Sequence, residues 1–314
     1  MIRASRKILG YIIIALIVIT VLITLNYRKA SDKDVGIVIS NTNNKFFGNI
    51  TLGISKELNQ YGYIPYALNA KDDLDRSIES VKSFVNRNFK VIIFNPVDSN
   101  QSSEAITYAK AHNVKIITLD RSINGAEVLS HIDSNNEQGG EIAADYILSK
   151  LGKSAKVLEL TGVQGSSSTK ERAEAFAEAM KSKGAEIIAS YSADYNERIA
   201  ESITYNVLQA NKNINAIFAQ NDLMALGAAR AAKLLKRKVL IVGYDGIPEA
   251  ITAIKDGRIA ATVQQQPIEM GKLAAEVAMN YMQGTPKELH HQHDVQVKLI
   301  TKENVNEAWG SKTR

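Results

Sequence analysis

At 314 residues, 45% hydrophobic and 23% charged, with five prolines, the chain is long enough to bury two cores and too apolar to stay disordered. Its net charge of +5 does not indicate nucleic acid: Arg3, Arg6, Lys7, Arg28 and Lys29 take five of the 38 basic residues, and the rest balance the 33 acidic ones. With no cysteine there is neither a disulfide framework nor an N-terminal lipid-bearing thiol, so stability has to come from packed cores.

The first element runs from Ile8 to Leu25, eighteen residues without a charge behind Arg3, Arg6 and Lys7. A signal-peptide apolar region is usually about 7 to 15 residues and a membrane span about 17 to 25. No small-x-small cleavage pattern follows, since Ala30 has Arg28 two positions before it. Residues 1–30 are therefore expected to form an apolar helix acting as an uncleaved signal anchor, the alternative being a cleaved signal peptide. Either one leaves the basic flank in the cytoplasm and exports the remainder.

From residue 34 onward, short β-branched runs alternate with amphipathic stretches of helical length, the pattern of βαβ units and a parallel sheet. Strands are predicted at Val35–Ser40, Tyr63–Leu68, Val91–Asn95 and Val114–Asp120, with helices near 46–61, 72–88 and 101–112. A second series places helices at Glu137–Leu151, Ser168–Lys183, 196–210 and Asp222–Leu235, and strands at Lys156–Thr161, Ile187–Ser192, Ala216–Gln220 and Val239–Tyr244. The fold class is thus α/β with two doubly wound parallel-sheet domains. Asn95, Asp120, Asn221 and Asp245 stand at or just past strand ends, where open α/β sheets bind ligands, which points to one site shared by the halves.

The side chains gathered there suit a polyhydroxylated ring. Asn44, Asn95, Asp120, Arg121, Arg172, Asn221, Asp245 and Gln265 supply donors and acceptors, and Phe46, Phe47, Tyr195 and Tyr244 supply flat apolar faces. Two Asp against two Arg leave almost no net charge, which favours a neutral ligand over a phosphate or an acid. Catalytic patterns are missing: there is no G-x-S-x-G, no paired catalytic carboxylates and no H-E-x-x-H. Gly152-Lys153-Ser154 fails as a phosphate loop because Ile147 stands where its first glycine belongs, and His290, His291 and His293 lack the partners of a metal site. No cofactor is expected.

Several stretches carry a family resemblance: Ser40-Asn41-Thr42-Asn43-Asn44-Lys45-Phe46-Phe47, Asn95-Pro96-Val97-Asp98-Ser99, Thr118-Leu119-Asp120-Arg121, Ser130-His131-Ile132, Glu171-Arg172, Ala193-Asp194-Tyr195, the run from Phe218 to Gly227, Val242-Gly243-Tyr244-Asp245-Gly246 and Ala261-Thr262-Val263-Gln264-Gln265. From about Asp34 to Val305 the chain resembles bacterial ribose-binding proteins, the extracytoplasmic receptors of ribose ABC transporters and members of the type I periplasmic binding proteins. The resemblance implies that the eight polar residues named above bond the sugar, D-ribose, and that the four aromatic residues surround its ring. It also implies an ABC permease as partner, a monomeric state and no catalysis. Tyr195 and Tyr244 depart from the pattern, which commonly has Phe at both positions. Three crossings near Ser134–Asn135, Gln265–Gln266 and Asp294–Val295 would form a hinge, dividing the chain into 34–134 plus 266–294 and 135–265 plus 295–305.

Two other outputs use the same fold. A repressor of the lactose-repressor type would begin with a helix-turn-helix of about 60 residues, but only about eight residues separate the apolar run from the first strand. A membrane-anchored sugar sensor reporting to a kinase or chemoreceptor is the remaining alternative, and it would need a separate signalling partner.

Overall fold

The computed structural model describes residues 29–285 and 291–309, together with Tyr11, Ile13 and Ile14. Apart from those three residues, the expected apolar segment lies outside the described residues, as does His290. Among the described residues no helix is long and apolar enough to cross a membrane.

The chain runs β1 (Asp34–Ile39), α1 (Lys45–Gln60), β2 (Ile64–Asn69), α2 (Leu74–Asn86), β3 (Val91–Phe94), α3 (Ser103–Ala111), β4 (Lys115–Leu119) and β5 (Ser130–Ser134). It continues with α4 (Asn136–Leu151), β6 (Lys156–Thr161), α5 (Ser167–Ser182), β7 (Glu186–Ser192), α6 (Glu197–Ala210), β8 (Ala216–Ala219), α7 (Asp222–Leu234), β9 (Leu240–Asp245), α8 (Pro248–Lys255) and β10 (Ala261–Gln264). It then returns through α9 (Pro267–Met282) and β11 (Gln292–Val295) before ending on β12 (Lys298–Thr301). These strands build two six-stranded sheets, ordered β11-β5-β4-β3-β1-β2 and β12-β10-β9-β8-β6-β7. All neighbours are parallel except β10 and β12.

Helices cover both faces of each sheet, so the inner strands are apolar throughout: Val-Ile-Ile-Phe in β3 and Ala-Ile-Phe-Ala in β8 are buried at every position. The returning α9 belongs to the first sheet. It packs on α1 so closely that a Cβ on Gly271 would lie 2.3 Å from the Ile50 carbonyl oxygen, and Met270, Ala274 and Ala278 share a core with Ile50, Ile54 and Leu58.

The chain passes between the sheets three times: after β5, after β10 and between β11 and β12. The third passage falls later than the expected Asp294–Val295, because Val295 is still paired with Ser134 in the first sheet and the chain leaves only through Gln296 and Val297.

Candidate ligand-binding site

Each sheet changes direction of winding once, between β1 and β3 in the first and between β6 and β8 in the second, and a crevice opens beyond the strand ends there. An amide side chain braces each crevice. Asn95, following β3, accepts the Ser40 N–H at 3.1 Å and the Ser40 hydroxyl at 2.6 Å through Oδ1. Gln220, following β8, accepts the Gly162 N–H at 3.1 Å through Oε1. The backbones match as well: Asn95 N donates to Val38 O and Gln220 N to Leu160 O, two residues before the braced position in both cases. Asn95 therefore corresponds to Gln220, one residue before Asn221.

The two crevices face each other across a cavity of about 330 Å³. Ten of the twelve residues expected at a site line it: Asn44, Phe46, Phe47, Asp120, Arg121, Arg172, Tyr195, Asn221, Asp245 and Gln265. Asn95 does not. Its side chain is fully buried under the floor, with Nδ2 donating to Leu119 O at 2.9 Å, so its amide is consumed by the brace. Tyr244 does not line it either. Its ring lies behind Arg172, whose guanidinium carbon is 3.8 Å from the ring centroid, and its hydroxyl occupies the space a Cβ on Gly139 would need.

Local chain geometry presents the polar groups. Asn44 and Asn221 are N-caps of α1 and α7, accepting the Phe46 and Met224 N–H groups through Oδ1, so the positive ends of both helices point at the cavity. Five of the nine non-glycine residues at positive φ among those described line it: Asp72, Asp120, Asp194, Tyr195 and Asp245. Such conformations cost of order 1–3 kcal/mol each and cluster where a side chain has to be aimed.

A sequence family described as periplasmic binding protein domain matches residues 35–286. The chain belongs to the periplasmic binding protein family. Ribose import binding protein RbsB of Escherichia coli K12 is 36% identical to it over 281 residues, which is 89% of this chain and 94% of that protein. The crystal structure of a Caulobacter myo-inositol binding protein bound to myo-inositol superposes with a TM-score of 0.85 at 26% identity, covering 90% of this chain and 98% of that one. An ABC transporter periplasmic solute binding protein from Actinobacillus succinogenes with bound D-allose gives a TM-score of 0.81 at 27% identity, covering 87% and 99%.

In this periplasmic binding protein the deep charges of the cavity are Asp120 and Arg121 from the first sheet and Arg172 and Asp245 from the second half, all buried. Burial pushes the Asp120 carboxyl above its ordinary range against the pull of Arg121 and Arg172. Burial likewise raises Asp245 to about 7, opposed by Arg172 and by the Gln265 amide, which donates to Asp245 Oδ1 at 2.7 Å. Burial opposes charge on Arg172, but Tyr244, Tyr195, Asp245 and Asp120 outweigh it and hold the guanidinium protonated. Arg172 is fixed from behind, Nε donating to Asn136 Oδ1 at 2.8 Å and Nη1 to Gln220 O at 2.9 Å. Arg121 donates Nη1 to the carbonyls of Pro96 and Val97 and lies 5.7 Å from the ring centres of both Phe47 and Tyr195, which stand on opposite sides of the cleft. Arg121 Nε and Gln265 Oε1 are buried without a hydrogen-bond partner among the described residues.

The cleft of this periplasmic binding protein is closed. Ser99 N donates to Gly165 O at 2.9 Å, Ser167 N to Ser99 Oγ at 3.1 Å and Ser122 N to Ser167 Oγ at 3.0 Å, while Lys45 pairs with Glu249 across the opening. Sequence reasoning missed two groups of residues. Asn41, Asn43, Asp72, Asp194 and Arg198 lie at the more open rim of the cavity. Asp222, Gln220 and Asn136 sit behind it and aim the others; Asp222 accepts the Gly246 and Ile247 N–H groups and the Thr262 hydroxyl at 2.7 to 2.9 Å, pinning the loop that carries Asp245. The signal for Asn41 and Asn43 lay in the run Ser40 to Phe47 and that for Asp194 in Ala193-Asp194-Tyr195, but the supporting residues act through contacts no local pattern shows.

Proposed function

We propose that this chain is an extracytoplasmic receptor that captures a neutral monosaccharide, D-ribose, in its interdomain cavity and delivers it to an ABC permease without transforming it. The carrying observation is the buried, charge-balanced quartet of Asp120, Arg121, Arg172 and Asp245 around a cavity walled by Phe46, Phe47 and Tyr195. Carboxylates accept from ring hydroxyls and guanidiniums donate to them, while the aromatic faces cover C–H surfaces. A charged ligand would leave the quartet unbalanced in a dry site, at a cost of several kcal/mol. The volume lies at the low end of ligand pockets, about 300–1,000 Å³, and suits one sugar ring better than a chain of them.

The identity to the Escherichia coli ribose import binding protein supports ribose and import together. The units on either side of the three passages turn about them to admit and enclose the ligand. Ile8 to Leu25 tethers the receptor to the outer face of the membrane, and a mature protein shorter by about 30 residues would refute that tether.

Calorimetry with D-ribose, D-allose, xylose, galactose, glucose and myo-inositol tests the ligand. Ribose is expected to bind with a Kd of about 1 μM or less, and heat from a hexose or the inositol but none from ribose would reject it.

A further inference from the structure

We infer that Asn136 is a positioning residue that ties the orientation of the Arg172 guanidinium to the closure angle at the first passage between the two units. The inference rests on the reading of the cavity as a ligand-capture site. Asp133 lies near the end of β5 in the first unit and Asn136 opens α4 in the second, so only Ser134 and Asn135 separate them, and the torsions of those two residues turn one unit on the other. Asn136 is buried and uses its amide on both sides of the passage. Its Nδ2 donates to Asp133 Oδ2 at 3.0 Å and to Glu171 Oε2 at 2.8 Å, and its Oδ1 accepts from Arg172 Nε at 2.8 Å.

The first-unit end of this chain of bonds is held firmly. Asp133 Oδ1 accepts the Ser134 N–H at 2.6 Å, its Oδ2 lies 3.5 Å from His131 Nε2, and His131 Nδ1 is 2.9 Å from the Thr118 hydroxyl. Asn135 N donates to Val295 O, which joins the first passage to the strand leading into the third. A change in the Ser134 and Asn135 torsions therefore moves Asp133 against Asn136. The Asn136 amide has to turn or give up a bond, and the acceptor that fixes Arg172 Nε turns with it. Closure places Asp133, Asn136 and Arg172 in register, so the guanidinium is set for the ligand in the closed arrangement and is less constrained in the open one. Asparagine suits this position because a carboxylate at 136 would be the third beside Asp133 and Glu171 and could donate to neither.

The test compares Asn136→Ala with the full-length wild type by calorimetry with D-ribose and by small-angle X-ray scattering without ligand. The expected result is a Kd raised about 10- to 100-fold, together with a larger radius of gyration for the ligand-free variant. Asp133→Asn keeps an acceptor for the Asn136 amide and is expected to stay within about fivefold of wild type. Affinity for Asn136→Ala within about threefold of wild type would overturn the inference, and so would weakened binding with an unchanged ligand-free scattering profile. Asn136→Ser, too short to span Asp133 and Arg172, gives the same two readouts if the alanine variant does not fold. The scattering comparison needs no sugar, so a wild type that binds none of the sugars would reject the ribose reading while the coupling is still decided.

Discussion

Asp245 combines two costs in one residue: a backbone at φ 112° and a carboxyl buried beside other carboxylates. Its carboxyl titrates at about 7 in the folded chain, against about 3.9 when unfolded. Between those values the folded state binds the extra proton, so this group's contribution to stability improves as pH falls through 7 and is unfavourable above it. Asp245→Asn is therefore expected to raise the ligand-free thermal midpoint at pH 8 by a few degrees, with the gain shrinking at pH 5.5. At pH 8 the same change lowers ribose affinity at least about tenfold by removing an ionised acceptor. Thermal scans at both pH values check it, and a variant less stable than wild type at pH 8 would contradict it.

Tyr195 shows the reverse arrangement, a polar atom beside the cavity whose partners are within the protein. Its hydroxyl is 2.7 Å from the Thr169 hydroxyl and 3.4 Å from that of Ser168, turned toward the first turn of α5, while its ring faces the cavity. Tyr195→Phe should change ribose affinity less than about threefold and cost about 1 kcal/mol of stability. A tenfold change in Kd would place the hydroxyl on the sugar. Arg172→Ala should weaken binding by at least about 100-fold, since it removes buried charged donors and leaves Asp245 without its compensating cation.

At the scale of elements, α1 and α9 join sequence neighbours to a segment more than 200 residues away, through contacts of backbone on backbone at Gly53 and Gly271. A methyl group at position 271 meets the Ile50 carbonyl and cannot be absorbed by a side-chain rotation. Gly271→Ala should lower stability by roughly 1–3 kcal/mol, read as a lower denaturation midpoint, and a neutral result would mean that the helices slide apart freely. This contact also explains what was hard to read in the sequence. The alternating strands and helices from 34 to 245 were legible within two or three residues, because each is a local period bounded by turn residues; the exception is β5, whose run Ser130 to Ser134 is mostly polar and was not predicted as a strand. The assignment of α9 to the first sheet depends on a long-range contact, and β10, β11 and β12 lack the unbroken apolar run that marked the equally short β3 and β8. The cavity lining was legible at Asp120, Arg121 and Asp245 because a polar side chain ends or follows an apolar strand there. The same rule also selected Asn95, which follows its strand as Asp120 does but, like Gln220, turns its amide under the floor to brace it.

Across the whole molecule, one indole is placed where closure should register. Trp309 is the only tryptophan in the chain. It follows β12 in the second unit, its indole N–H donates to Gln265 O at 2.9 Å, and its backbone N–H donates to Gln264 Oε1 at 3.0 Å. Gln265 also lines the cavity, bonds Asp245 through its side chain and immediately precedes the second passage between the units. One residue thus touches the cavity, a passage between the units and the indole, so a closure driven by ligand should alter the surroundings of the ring without the sugar reaching it. Intrinsic fluorescence of the wild type is expected to change saturably on titration with D-ribose, with the midpoint found by calorimetry, and to stay flat for Arg172→Ala. Sugar binding seen as heat with no change in emission would show that Gln265 takes up the ligand without any motion at the second passage.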